Sequence, residues 1–68
     1  GMRAMVASPI RLLLVDDHCM FLQALKLALE ADGRFSIAGT ADNVTQGVEL
    51  VQALHPEIVV SDIQFPDG

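Results

Sequence analysis

Three short aliphatic runs, separated by two longer amphipathic stretches, constrain the fold of this chain more than any other feature of its sequence. The first run, Ile10–Val15, is apolar at nearly every position and stops at an acidic pair, which is typical of a buried parallel strand. Residues 20–31 and 44–54 instead repeat apolar side chains at helical spacing, and 35–40 and 58–61 are further strand-like runs. The order β-α-β-α-β predicts a parallel sheet with right-handed crossover connections.

Local signals predict where the two helices begin and end. Gly33 follows the first helical stretch, and we expect it to end that helix in the left-handed conformation. Asn43 and Gln46 have the spacing of a capping box at the start of the second helix. Pro56 disfavours a helical conformation in the residue before it, so the second helix is expected to end near Leu54.

The length and charge of the chain exclude several classes of function. Sixty-eight residues provide for one domain at most. Nine acidic residues against four scattered basic ones give a net charge of −5, which argues against gripping nucleic acid or an anionic membrane through a basic patch. No apolar run approaches the ~20 residues of a membrane-spanning helix. The single cysteine, Cys19, fits a reducing cytosol, and we expect it to be a buried structural residue.

The first nine residues differ in character from the rest of the chain. They carry one charge and no sustained apolar stretch, so they do not resemble a signal peptide. Gly1 before Met2 is what a cleaved expression tag leaves behind. We therefore expect residues 1–9 to be a disordered leader with a tag remnant, and residues 10–68 to form the folded part.

Three acidic residues follow two of the predicted strands. Asp16 and Asp17 come directly after the first strand, and Asp62 comes after the third. Ligands of open α/β sheets bind outside the carboxyl ends of the strands, where the strand order reverses, so a central first strand places all three acids in one cluster. Such like charges repel, and a hard divalent cation such as Mg²⁺ resolves the repulsion. The alternative is that aspartate simply ends strands because it favours turns.

The segments Leu12–His18 and Asp62–Pro66 resemble the first half of a two-component response-regulator receiver domain. His18, Phe21 and the segment Ile37–Ala41 resemble the NarL/LuxR-type subfamily, whose members usually carry a C-terminal helix-turn-helix DNA-binding domain. The resemblance implies a flavodoxin-like doubly wound α/β sheet, truncated here to β-α-β-α-β with strand order 2-1-3, and residues 10–68 as the N-terminal half of a receiver domain. The chain departs from the subfamily at Cys19 (commonly proline), at Phe65 (often methionine) and in the missing second half.

The resemblance implies a role for each matching residue. Asp62 would accept a phosphoryl group from the phosphohistidine of a sensor histidine kinase. Asp17 would bind Mg²⁺ directly and Asp16 would bind it mostly through water. Asp62 itself and the main-chain carbonyl of Gln64 would be further ligands. His18 is expected to make local hydrogen bonds at the helix start, because imidazole suits Mg²⁺ less well than oxygen ligands do.

Two functional residues of the family have no counterpart among the 68 residues of this sequence. They are the switch Ser/Thr of the fourth strand and the phosphate-binding Lys of the fifth. Lys26 does not replace that lysine, because it lies midway along the first helix. We therefore expect a fragment, a truncated chain or a degenerate half-domain. Its expected function is that of a cytoplasmic phosphoacceptor signalling module rather than an enzyme. We expect it to contact DNA only through an output domain outside this chain and not to bind membranes.

Other functions remain as alternatives. A half-receiver could act only as a structural or dimerisation module, and the apolar third strand, with no predicted neighbour on its outer edge, predicts self-association through residues 57–61. An aspartate-dependent phosphohydrolase would carry an Asp-x-Asp motif after the first strand, whereas the two acids here, Asp16 and Asp17, are adjacent. A dinucleotide-binding half would need a glycine-rich turn after the first strand, which the sequence lacks.

Overall fold

The structure, a computed structural model, describes residues 9–62. Its elements follow the predicted order: β1 (Ile10–Val15), α1 (Cys19–Glu30), β2 (Phe35–Ala41), α2 (Val44–Leu54) and β3 (Ile58–Ser61). The three strands are parallel and lie in the order β2-β1-β3, so the predicted truncated flavodoxin-like sheet is confirmed. Apart from Pro9, the predicted leader lies outside the described residues, and so does everything after Asp62.

β1 is the centre of the molecule because it has a strand on each side and a helix on each face. Its alternating side chains enter two separate apolar clusters, and Leu13 and Leu14 are completely buried. The cluster on the α1 face contains Leu12, Leu14 and Leu22, with Leu25, Leu29, Phe35 and Ile37 packed against it. The cluster on the α2 face contains Leu13, Val15 and Ala41, with Leu50 packed against it.

β2 contains a β-bulge that the sequence pattern did not predict. Ile37 pairs with Leu12, but Gly39 pairs with the next residue of β1, so Ala38 is left between the two pairs. An extra residue reverses the alternation of faces beyond it. Ile37 therefore packs on the α1 face, whereas a Cβ atom at Gly39 would meet Leu54 of α2 at 2.9 Å. The simple alternation expected along 35–40 holds only as far as the bulge.

The turn between α1 and β2 closes without a left-handed glycine, so the prediction for Gly33 is wrong. Ala31 ends α1 in the ordinary helical conformation, and the backbone of Gly33 does not enter the left-handed region. An aspartate side chain organises the turn instead, because Asp32 Oδ1 accepts hydrogen bonds from the backbone N–H (3.0 Å) and from Nε (3.0 Å) of Arg34. A side-chain acceptor of this kind makes a left-handed residue unnecessary.

The left-handed residue is instead found after α2. The helix ends at Leu54 as predicted, and His55 caps it with φ 49° and ψ 58°. Arg11 of β1 fastens this turn: its side chain donates to the carbonyl of His55 at 3.0 Å, and its backbone N–H donates to Glu57 Oε1 at 2.9 Å. The start of β3, and with it the position of Asp62, is thereby tied to the centre of the sheet.

β3 is paired on one side only within residues 9–62. Its four residues pair in register with β1, from Leu12 opposite Ile58 to Val15 opposite Ser61. Nevertheless Ile58, Val59 and Val60 remain 39–47% exposed. No helix among the described residues is both long and apolar enough to cross a membrane.

Candidate functional site

The carboxyl ends of β1 and β3 bring two of the predicted acids together. The backbone N–H of Asp16 donates to Ala41 of β2 at 3.0 Å, and that of Asp62 donates to Val15 of β1 at 3.2 Å. Each acid is therefore fixed to a neighbouring strand immediately beyond the end of its own. This is the edge where open α/β sheets bind ligands, next to the reversal of strand order at β1 and β3.

Asp16 is a buried carboxylate. Its side chain is only 4% exposed, and its Oδ1 accepts hydrogen bonds from the backbone N–H of His18 at 2.8 Å and from His18 Nδ1 at 2.9 Å. Both bonds favour the ionised form. They hold the pKa of Asp16 below its ordinary value, with the backbone bond as the larger cause and with burial acting in the opposite direction.

His18 joins the two acids of the pair. It is the N-cap residue of α1, with an extended backbone and a ring that is 72% exposed. Its Nδ1 also lies 3.0 Å from Oδ1 of Asp17, whose side chain is 67% exposed. The hydrogen bond to Asp16 is the main cause that raises the pKa of His18, and the charges of Asp17, Asp16 and Asp62 add to it.

One group of possible metal ligands emerges from this arrangement. Asp16, His18 and Asp62 each offer one ligand atom, and the three atoms lie within 4.8 Å of one another. Asp17, predicted as the direct ligand, lies outside that group and is linked to it through the His18 ring. Gln64 lies outside the described residues, so its carbonyl stays a prediction.

The donor set fits a hard divalent cation. Asp16 and Asp62 supply carboxylate oxygens from two strands, and Mg²⁺ prefers carboxylates, carbonyls and water. Burial of a carboxylate is costly unless the charge is compensated, and both hydrogen bonds to Asp16 Oδ1 come from a single residue, His18. The site therefore has a buried carboxylate, Asp16, at its floor and the exposed side chains of Asp17 and His18 at its rim.

His18 is the one site residue whose role sequence reasoning understated. Its local hydrogen bonding at the helix start is observed, but the acceptor is the buried acid of the site. The available signal was the two-residue spacing from Asp16, because aspartate commonly accepts from the backbone two residues on.

Two cavities lie near the carboxyl ends of the strands, and one of them includes acids of the site. One, of about 410 Å³, lies between α1 and β3 and is apolar along Phe21, Leu25 and Val60, with Asp16 and Asp62 at its wall. The other, of about 440 Å³, lies beyond β2 and includes Cys19 and Lys26. Cys19 is exposed, so its predicted burial is wrong: it begins α1 at the rim of the sheet rather than on the face that packs against it.

Similar proteins include transcriptional regulators. The chain is 35% identical over 57 residues to the transcriptional regulatory protein YdfI of Bacillus subtilis, which is 84% of this chain and 27% of that protein. It is 33% identical over 58 residues to the nitrate/nitrite response regulator protein NarL of Escherichia coli K12, which is 85% of this chain and 27% of that protein.

A different type of relative shares the same region. The chain is 39% identical over 61 residues to a protein-glutamate methylesterase/protein-glutamine glutaminase of Symbiobacterium thermophilum, covering 90% of this chain and 17% of that protein. The chain thus spans about a quarter or less of the length of these relatives. The sequence profile of the response regulator receiver domain matches residues 12–68. Since that match covers most of the 68 residues and agrees with the observed fold, the chain belongs to the response regulator receiver domain family.

Proposed function

We propose that this chain is the phosphoacceptor part of a two-component response regulator, which takes a phosphoryl group from a sensor histidine kinase onto Asp62 with Mg²⁺ bound. The observation that carries the proposal is the placement of an exposed Asp62 beside the buried, ionised Asp16 at the carboxyl edge of the sheet. An exposed carboxylate is accessible to a donor protein, and a buried one is held in place.

The chemistry of the transfer assigns a task to each residue. An oxygen of the Asp62 carboxylate attacks phosphorus, the P–N bond of the phosphohistidine breaks, and the imidazole leaves and takes up a proton. Asp16, Asp17, Asp62 and the carbonyl of Gln64 would hold the cation, which neutralises charge on the phosphoryl oxygens when it is bound. Hydrogen bonds from His18 keep Asp16 ionised, so that it is ready to contribute negative charge.

A Mg²⁺ titration followed by amide NMR tests the cation site. We expect weak binding, with shifts localised to Asp16, Asp17, Asp62 and Gln64. Asp62→Asn should weaken Mg²⁺ binding by removing a ligand charge, and it should stabilise the metal-free fold by relieving repulsion. Asp42→Asn is the matched control, because Asp42 follows β2 rather than β1 or β3. Shifts at Asp42 and Glu49 without shifts at Asp62 would contradict the site.

A labelled small phosphodonor tests the transfer itself. These 68 residues contain one lysine, Lys26, whose Nζ lies 3.3 Å from Glu30 on the same helix. A single donor to a developing charge is commonly worth ~3–4 kcal/mol, so we expect only a trace of Mg²⁺-dependent phospho-Asp62 on this chain alone. The trace should vanish in Asp62→Asn and persist in Asp42→Asn. Label that persists in Asp62→Asn would contradict the phosphoacceptor role. Stoichiometric, Asp62-dependent labelling would contradict the expectation of weak transfer and would imply that a second chain supplies the lysine.

We also propose the context of the parent protein. Two relatives are named as a transcriptional regulatory protein and a response regulator, which supports a cytoplasmic parent that binds DNA through a helix-turn-helix output domain rather than through this chain. The methylesterase relative supports a different output as the alternative. Sequencing the parent gene beyond the codon for Gly68 separates them: a downstream helix-turn-helix supports the first and a methylesterase domain supports the second.

A second candidate function is self-association of this chain through residues 57–61. β3 is apolar and uncharged along Ile58–Val60, and β1 is its one neighbouring strand within residues 9–62. Exposed apolar strands of this kind associate edge to edge. Two-fold symmetry would make the new pair antiparallel and give one six-stranded sheet. This is the role that a half-receiver without phosphotransfer would retain.

A further inference from the structure

The ring of His18 lies against both carboxylates of the acidic pair. Its Nδ1 is 2.9 Å from Asp16 Oδ1 and 3.0 Å from Asp17 Oδ1. An ionised carboxylate only accepts hydrogen bonds, so a nitrogen in contact with two of them must be the donor. The geometry therefore assigns the proton of the ring to Nδ1, and in this rotamer Nδ1 has no lone pair to offer a metal.

The hydrogen bond from Nδ1–H uses Asp16 Oδ1, an oxygen that could otherwise bind the proposed cation. Asp16 Oδ1 accepts from the backbone N–H and from Nδ1 of His18, which together use the two lone pairs of that oxygen. The Asp16 side chain is 4% exposed and the His18 side chain is 72% exposed, so the buried oxygen is hydrogen-bonded to a ring that itself lies mostly in solvent. A cation that binds this oxygen directly must replace one of these two hydrogen bonds, and the bond from the exposed ring is the one that can be given up without moving the backbone.

We propose that His18 is an intramolecular competitor of the divalent cation, whose Nδ1–H holds Asp16 and Asp17 together in the metal-free protein and must be displaced when Mg²⁺ binds. The inference rests on the proposed function, because it concerns the affinity of the same site. Displacement costs little packing, since the ring is mostly exposed and can turn into solvent. His18 is thus a residue that sets cation affinity without being a ligand.

Two substitutions isolate the Nδ1–H from the rest of the residue. His18→Ala removes the ring but retains the backbone N–H that positions Asp16. His18→Phe keeps a ring of similar size and removes the donor. If the hydrogen bond is what competes, both variants bind Mg²⁺ roughly tenfold more tightly than the unsubstituted chain, the size expected from one lost hydrogen bond to a charged group. His55→Gly changes the other histidine of the chain, after α2, and should leave Mg²⁺ affinity unchanged.

Two measurements carry the test: calorimetric titration with Mg²⁺, and the ¹⁵N spectrum of the imidazole rings. In the metal-free chain, the spectrum should show a protonated Nδ1 at His18, and saturation with Mg²⁺ should shift the His18 signals but not those of His55. Tighter binding in His18→Ala but not in His18→Phe would show that the ring acts by bulk alone and would overturn the proposal. Unchanged or weaker binding in both variants would also overturn it, the weaker case identifying His18 as a ligand. Absence of Mg²⁺ binding at Asp62 in all variants would overturn the proposed cation site as well, which distinguishes the two failures.

Discussion

β1 and β3 are both rich in aliphatic residues, yet Leu12–Val15 of β1 are buried whereas their partners in β3 are exposed. Leu13 of β1 and Val59 of β3 are paired neighbours, but Leu13 is 0% exposed and Val59 is 39% exposed. β1 has strands on both edges and apolar helix faces on both sides, whereas β3 has one strand neighbour within residues 9–62. An apolar run therefore indicates a strand, but its neighbours decide whether the strand is core.

The sharpest test of this comparison truncates the two paired residues. Leu13→Ala should cost about 2–5 kcal/mol, because Leu13 is completely buried and its truncation leaves a cavity in the cluster on the α2 face. A chain this short rarely has more than ~3–5 kcal/mol of stability, so the variant is expected to lose most of its cooperative unfolding transition. Val59→Ala should cost below about 1 kcal/mol. Urea denaturation followed by circular dichroism measures both, and equal losses would refute the distinction between the strands.

The second prediction concerns the edge of β3 rather than its interior. Val59→Lys should raise the dissociation constant for self-association by about tenfold or more, since pairing would bury an unpartnered charge. Light scattering over a range of concentrations measures the change, with Val59→Thr as the uncharged control that keeps a β-branched side chain. A well-folded monomer of the unsubstituted chain at high micromolar concentration would eliminate edge pairing.

The third prediction compares the turns that lead into β2 and β3. His55 holds a left-handed conformation that costs a non-glycine residue roughly 1–2 kcal/mol. Glycine removes this cost but also increases the conformational entropy of the unfolded chain, so His55→Gly should stabilise the fold by about 1 kcal/mol. Gly33 is outside the left-handed region, and a Cβ atom added there would meet no other part of the chain within 4 Å. Gly33→Ala should therefore also stabilise, by about 0.4–1 kcal/mol. Thermal unfolding measures both; destabilisation by Gly33→Ala would mean that this turn requires glycine.

The smallest effect is the pH dependence of the turn before β2. Hydrogen bonds from Arg34 lower the pKa of Asp32 from 3.8 to about 2. Because the folded pKa is depressed, this contribution to stability is present above pH 3.8 and is lost as the pH falls through about 2. Carboxyl NMR should show the Asp32 titration move up toward 3.8 in Arg34→Ala. A low value that survives Arg34→Ala would show that another group causes the shift.

The sequence was most informative where one physical effect dominates. The bounds of β1 and β3 could be predicted because aliphatic runs are terminated by Asp16 and by Asp62, and the end of α2 could be predicted because Pro56 disfavours helix before it. The meeting of Asp16 and Asp62 follows from parallel topology alone.

Details that depend on three-dimensional packing could not be predicted in this way. The bulge at Ala38 depends on how β2 fits between β1 and the side chains of α2. Gly33 is not left-handed because an Asp32 side chain closes its turn, and the left-handed residue is His55 in the separate turn after α2. The contacts of the His18 ring with Asp16 and Asp17 depend on a side-chain rotamer, which residue spacing does not determine. The roles of Asp17 and Gln64 stay predictions.

The in-register pairing of β1 with β3 also has a consequence for the order of folding. The contact between Arg11 and Glu57 closes a separation of 46 residues, whereas Ile10 meets Phe35 after little more than half that distance along the chain. Loop-closure entropy and the shortness of β3 both favour its docking last and its detachment first. Asp62 is carried on the end of that late strand, so the acidic cluster exists only once the sheet is complete. A cation bound by both Asp16 and Asp62 would then stabilise the docking of β3 against β1. Hydrogen exchange at the backbone amides of Val59 and Val60 should therefore slow when Mg²⁺ is added.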